Sequence, residues 1–274
     1  MASLDTRFAA QMARLAQAAY IDFASDGGAE LKAQLARMGL TLVATFDWDA
    51  PEHGAKLRER RDRGSQAYLA SGPDKVLLIF RGSSEKSDWA TNLQVGKRRV
   101  EVGDRVVFLH AGFALSYRQI EKRLLAEVDA EMARQSRPLY IVGHSLGGAL
   151  AQIATAMSTR PELTACYSFG APRVAASWFR RTLTVPHYRI VNGWDVVPTV
   201  PPALIGYGHT GPSWHLKRDP PNTVLGRGRS PLRTVWINVR SLFGMAFGRS
   251  WAGVRDHEIG RYAERLETLA KKPA

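Results

Sequence analysis

Leu4, Phe8, Met12, Leu15 and Ala19 share one face of a helix, and this spacing predicts a helix over Leu4–Tyr20. The pattern then changes. Thr41–Phe46, Gln66–Ala70, Lys75–Phe80 and Val106–Leu109 are short runs rich in β-branched, aliphatic and aromatic side chains, and each predicts a strand. Phe113–Arg134 reads as a long helix that stops before Pro138. Leu139–Val142 predicts a strand, Leu146–Ser158 a helix, and Leu163–Phe169 and His187–Val191 two further strands. Strands alternating with helices predict an α/β fold whose mostly parallel central sheet is covered by helices on both faces. The early strand-after-strand run predicts antiparallel pairing at one edge. No internal repeat, low-complexity tract or linker divides the chain, so one domain over residues 1–274 is expected.

Composition narrows the classes. A chain of 274 residues, 45% hydrophobic, is long enough to bury a substantial core. Charged residues at 23%, with 24 Gly and 14 Pro spread along the chain, exclude a disordered, collagen-like or coiled-coil protein. The single cysteine, Cys166, excludes an intramolecular disulfide. It lies in an apolar run and reads as a core residue rather than a nucleophile. Asp5, Arg7 and Arg14 interrupt the first apolar stretch, and no stretch reaches the ~20 apolar residues that span a bilayer. The expectation is a soluble protein, cytoplasmic or exported without a cleavable signal peptide. Thirty-eight basic against 25 acidic residues give a net charge of +13, a field that favours anionic partners. No nucleic-acid recognition motif accompanies it, so nucleic acid is not expected as a partner. Paired His or Cys at ligand spacing and Gly-x-x-x-x-Gly-Lys loops are absent, so no metal and no cofactor are expected.

The most informative segment is Leu139–Gly148. It sets Gly143-His144-Ser145-Leu146-Gly147 between a strand and a helix. A sharp turn there needs flanking residues without side chains, which Gly143 and Gly147 supply. Ser145 would then stand at the strand end and at a helix N-terminus. The Leu146 backbone N–H and the positive end of the helix dipole would face an oxyanion of acyl transfer. A strand-to-helix turn of this kind without chemistry is the competing reading. The apolar strand before it and the small residues after it argue against that.

The chain resembles the class 3 lipases, a family with the α/β-hydrolase fold. Six ordered segments carry the resemblance beside a weaker match near His257: Phe80–Ser83 with Ser87–Leu93, His110–Phe113, the Ser145 turn, Ser168–Val174, Val191–Pro198 and Gly206–His209. The resemblance implies a serine carboxylic-ester hydrolase acting on lipid esters, triacylglycerol lipase-like, through Ser145, an acid and a histidine in that chain order. Asp195 follows the strand ending at Asn192 and is the expected acid; a turn aspartate capping its own backbone is the bland alternative. His257 opens a final helix with Ile259, Tyr262, Ala263, Leu266 and Leu269 on its apolar face, and Asp256 is its expected N-cap. The resemblance, a His followed by Tyr five positions on, favours His257 as base. His209, in a Gly-rich loop, is the runner-up. His144 should point away from Ser145. The oxyanion donors implied are Leu146 and, by resemblance, Ser83, with Asp88 placed to orient the Ser83 hydroxyl.

Two further segments bear on substrate. Residues 84–93 match the family's lid position, and they are fairly polar apart from Trp89 and Leu93. Residues 217–255 hold eight basic residues against Asp219 alone, a local charge of +7. Within them Leu232, Val235, Trp236, Val239, Leu242, Phe243 and Ala246 recur at helical spacing. A basic amphipathic helix reads as an interfacial segment for an anionic membrane surface. A helix packed on the sheet with solvated arginines is the other reading. Phospholipase A1 activity, a non-lipid esterase, and an inactive lipid-surface binder stay open as alternatives. The oligomeric state is unknown from sequence.

Overall fold

A computed structural model of the chain describes residues 3–23, 28–46, 67–82, 96–219, 222–227 and 251–272. Eight strands form one sheet in the order β1 (Thr41–Phe46), β2 (Ala67–Ser71), β3 (Val76–Phe80), β6 (Leu139–His144), β7 (Leu163–Phe169), β8 (His187–Asn192), β9 (Ser213–Asp219) and β10 (Asn222–Arg227). From β3 to β9 all neighbours run parallel, while β1–β2–β3 and β9–β10 pair antiparallel. β4 (Lys97–Val102) and β5 (Arg105–His110) form a separate hairpin. The fold is the expected α/β arrangement, with antiparallel edges on both sides rather than one.

The apolar runs are continuous because each central strand is buried on both faces. In β3, Val76, Leu78 and Phe80 enter one core, and Leu77 and Ile79 enter the other. The first core is closed by α3 (Ala111–Arg134) and α4 (Leu146–Met157). The second is closed by α1 (Thr6–Ala18), α2 (Ala29–Arg37) and α6 (Ile259–Ala270), which follows the short α5 (Trp251–Asp256). Arg14 of α1 holds Glu267 of α6 through two bonds, Nε to Oε1 at 2.6 Å and Nη2 to Oε2 at 2.7 Å. This pins the first and last described helices together. Cys166 lies in the first core, where burial pushes its thiol up to about 12. That suits a core residue.

Elements invisible in the pattern share a cause. α2 buries only Leu31 and Leu35, too narrow a stripe to read as a period. β4 reads Lys-Arg-Arg-Val-Glu-Val because it is half of an exposed hairpin. β9 reads Ser-Trp-His-Leu-Lys-Arg-Asp, whose charged end breaks the pattern of a buried strand.

Strand register decides where a site can form. Phe80 pairs with Gly143, Gly143 with Ser168, and Phe169 with Ile190. The carboxyl ends of β3, β6, β7 and β8 are therefore level. Gly82, Ser145, Gly170 and Asp195 follow directly after them, on the edge where open α/β sheets place their sites.

Candidate active site

Ser145 is the one non-glycine residue with positive φ among the described residues, at φ 55° and ψ −126°. A backbone in that region is strained and persists only where its surroundings impose it. They do so here. A Cβ on Gly143 would collide with the Gly147 carbonyl, and one on Gly147 with the Phe80 carbonyl. The Ser145 N–H donates to the Phe169 carbonyl at 2.9 Å. The side chain is left at the first turn of α4, beside the Leu146 N–H, which lacks an intrahelical partner by helix geometry.

His257 lies between α5 and α6. Its Nε2 is 2.8 Å from Ser145 Oγ, and its Nδ1 is 2.8 Å from Asp195 Oδ2. A carboxylate only accepts, so Nδ1 carries the proton and Nε2 is the free lone pair facing the hydroxyl. Asp195 is fully buried. Its Oδ2 also accepts from the Tyr262 hydroxyl, and its Oδ1 accepts from the Val197 N–H at 2.9 Å. These donors fix the carboxylate in direction. Three residues far apart in sequence thus meet in the order hydroxyl, imidazole, carboxylate, an arrangement able to activate a serine for acyl transfer.

Residues 77–205 match the family described as Lipase (class 3). A secreted mono- and diacylglycerol lipase 1 of Fusarium solani is 32% identical over 168 residues, 57% of this chain and 49% of that one. A lipase of Rhizomucor miehei is 32% identical over 173 residues, 58% of this chain and 47% of its own length. The crystal structure of a lipase from Rhizopus microsporus var. chinensis superposes with a TM-score of 0.69 at 21% identity, covering 94% of this chain and 87% of that one. The chain resembles the class 3 lipases over residues 77–205. It spans about half the length of the curated relatives it matches.

Around this site the remaining expectations divide. Ser83, Asp88 and the lid position 84–93 lie outside the described residues, as do residues 228–250, where the amphipathic helix is expected. The described chain reaches Gly82, whose α-hydrogen faces the His144 carbonyl and Ser145 Cβ. His209 does not approach Ser145; its Nε2–H donates to the Pro198 carbonyl at 2.8 Å.

Asp256 is not the N-cap of α6. Glu258 occupies that position and makes no side-chain cap bond. Asp256 ends α5, and its carboxylate turns to the loop carrying Asp195. It accepts the Trp194 N–H at 2.8 Å and lies 3.5 Å from Arg265. Asn192 Nδ2 donates to the Asp256 carbonyl at 2.8 Å, and Arg265 also bonds Asn192 Oδ1. The Asp195 turn and the His257 turn are thereby clamped by their immediate neighbours. Sequence shows no sign of this clamp, because Asn192 and Trp194 lie more than 60 residues from Asp256.

No described helix is long and apolar enough to cross a membrane. Three histidines outside the Ser145 contact are held neutral. Burial pushes His110 down to about 4 and His187 to about 3, the latter also by Arg189, and His144 lies well below its usual range through burial first. An unfolded histidine takes up a proton near pH 6.5, whereas these do not until far lower. Their stabilisation is therefore complete above about pH 6.5 and is lost as the pH falls below it. Each contributes a slope of about 1.4 kcal/mol per pH unit until its folded value is reached. Urea midpoints measured between pH 7.5 and pH 5 should fall steeply with acid. An unchanged midpoint would contradict neutral burial of these rings.

Proposed function

We propose that the chain is a serine carboxylic-ester hydrolase acting on lipid esters, with Ser145 as nucleophile, His257 as general base and acid, and Asp195 as orienting carboxylate. The observation carrying this is the paired 2.8 Å contact of His257 with Ser145 Oγ and Asp195 Oδ2 on a strained strand-to-helix turn. Ser145 Oγ attacks the ester carbonyl while His257 Nε2 takes its proton. The oxyanion receives the Leu146 N–H, and Ser83 is the second donor that the resemblance implies. His257 returns the proton to the leaving alcohol, and the acyl-enzyme stays on Ser145. A water then repeats the sequence and frees the fatty acid. Relatives named as acylglycerol lipases support a lipid ester as substrate.

An anionic bilayer as the working surface is supported by the described exterior. Phe108 is 47% exposed on the hairpin, Trp178 38%, and Leu204 95%. Their segments adjoin. Ala175 bridges both Leu109 and Gly208, Lys97 Nζ donates to the Ile205 carbonyl at 3.1 Å, and Arg105 reaches the Arg181 carbonyl at 2.8 Å. Exposed Lys97, Arg98, Arg99, Arg180 and Arg181 fringe these apolar side chains. Apolar side chains with a basic fringe suit insertion at acidic headgroups.

Fatty-acid release from vesicles of mixed acylglycerol and anionic phospholipid, with Ser145→Ala in parallel, tests both parts. Release by the parent alone is expected, and the lipid consumed separates acylglycerol lipase from phospholipase. Binding should rise with acidic lipid and weaken with salt. Equal binding to neutral vesicles would remove the anionic surface. Binding without release by either protein would leave a lipid-surface binder.

A further inference from the structure

Beside the Ser145–His257–Asp195 contact runs a second chain of hydrogen bonds that the hydrolytic steps do not use. His144 lies immediately before Ser145 and is buried. Its Nε2 is 2.8 Å from the backbone carbonyl of His257, and its Nδ1 is 2.7 Å from the Tyr20 hydroxyl. A carbonyl only accepts, so Nε2 bears the hydrogen. Nδ1 is then bare and must accept from Tyr20 O–H. Gly82, the residue before Ser83, packs directly on the Tyr20 oxygen, to which a Cβ on Gly82 would come too close. Arg81 lies over the Tyr20 ring, 5.5 Å from its centroid. The His144 and His257 rings are 4.5 Å apart.

Both His144 bonds have a determined direction, and each residue of the chain belongs to a different element. Gly82 follows β3, Tyr20 follows α1, His144 ends β6, and His257 opens the turn before α6. We propose that Tyr20 and His144 are positioning residues, a strut that fixes the His257 backbone relative to both Ser145 and the segment leading to Ser83. This rests on the hydrolase reading above.

The physical case is one of leverage. His257 sits in a turn between two helices, and its ring must keep two contacts of 2.8 Å at once. The Asp256 clamp holds the residue before it, and the helix holds the residues after it. Among the described residues, the His257 carbonyl ties the turn directly to His144, at the end of the strand bearing the nucleophile. A neutral imidazole can hold it because burial keeps the ring uncharged and Tyr20 fixes its tautomer. Displacement of a reacting group by about 1 Å costs on the order of 100-fold in rate.

The test uses hydrolysis of a soluble short-chain p-nitrophenyl ester, with competent sites counted by an organophosphonate that reacts at activated serine. His144→Leu removes the donor and is expected to lower kcat per competent site about 10- to 100-fold with KM little changed. His144→Gln can still present an N–H to the His257 carbonyl and should recover most of that loss. Tyr20→Phe should lower kcat about 3- to 10-fold, the effect of one buried hydrogen bond. Its mild change of shape keeps the idea testable if His144→Leu does not fold. Parent-like kcat in either folded His144→Leu or Tyr20→Phe overturns the strut, as does His144→Gln behaving like His144→Leu. A parent that neither hydrolyses the ester nor takes up the phosphonate overturns the hydrolase reading instead, and the strut's role with it.

Discussion

Asp195→Asn is expected to fold and to lose about 10⁴-fold in kcat on a soluble ester. The argument lies in who can turn. Asp195 receives a ring N–H from His257 and a hydroxyl from Tyr262 on Oδ2, and a backbone N–H from Val197 on Oδ1. An asparagine has one acceptor oxygen and one amino group for these two sides. A backbone N–H cannot reverse, and facing it with an amino group would leave a buried unmet donor, a cost of about 1–3 kcal/mol. The tyrosine hydroxyl can rotate and the imidazole can exchange its proton between nitrogens. The amide oxygen therefore stays on Val197, and the amino group meets His257. His257 Nδ1 becomes the acceptor and Nε2 takes the proton. The nitrogen facing Ser145 Oγ no longer has a lone pair. Circular dichroism and the urea midpoint should stay close to the parent's while kcat collapses. A variant that keeps a tenth of parental kcat would show that Asp195 does not set the tautomer.

How much of this was legible in the sequence follows the range of the forces involved. The Ser145 turn is dictated by steric contacts within five residues, so Gly143 and Gly147 announce it. β3, β6 and β7 announce themselves because a strand buried on both faces has little choice but Val, Leu, Ile and aromatics. Asp195 and His257 were legible through the order of motifs, not through any local rule. Asp256 misled because an acid before a helix usually caps it; here the Trp194 N–H, 62 residues upstream, and Arg265, further along the same helix, hold its carboxylate instead. His144 could be read only as pointing away from Ser145. Its partners, Tyr20 and the His257 carbonyl, are 124 and 113 residues distant, and nothing local encodes them. Motifs record where the chemistry is; the alignment of its parts is written in packing between α1, β6 and α6.

Gly170→Ala should damage catalysis far more than it damages the fold. Gly170 follows β7 at φ +57°, where a side chain is strained by about 1–2 kcal/mol. Strain alone would cost stability and leave activity intact, and Gly103 supplies the comparison. It sits in the β4–β5 turn at φ +58° with nothing within 4 Å of an added Cβ. Gly103→Ala is expected to lower stability by about 1 kcal/mol and to retain parental kcat. At Gly170 the same methyl would lie 2.6 Å from Asp195 Oδ2, 2.9 Å from His257 Nδ1 and 2.9 Å from the Tyr262 oxygen. Those three atoms make the bonds that orient the imidazole, and none can retreat without breaking one of them. The wedge acts on the geometry between acid and base, so kcat should fall at least about 100-fold beyond any change in stability. The pair of variants separates backbone strain, common to both, from intrusion into the site, which only one of them makes. If Gly170→Ala loses no more kcat than Gly103→Ala, the bonds around Asp195 Oδ2 are not what holds His257 in place.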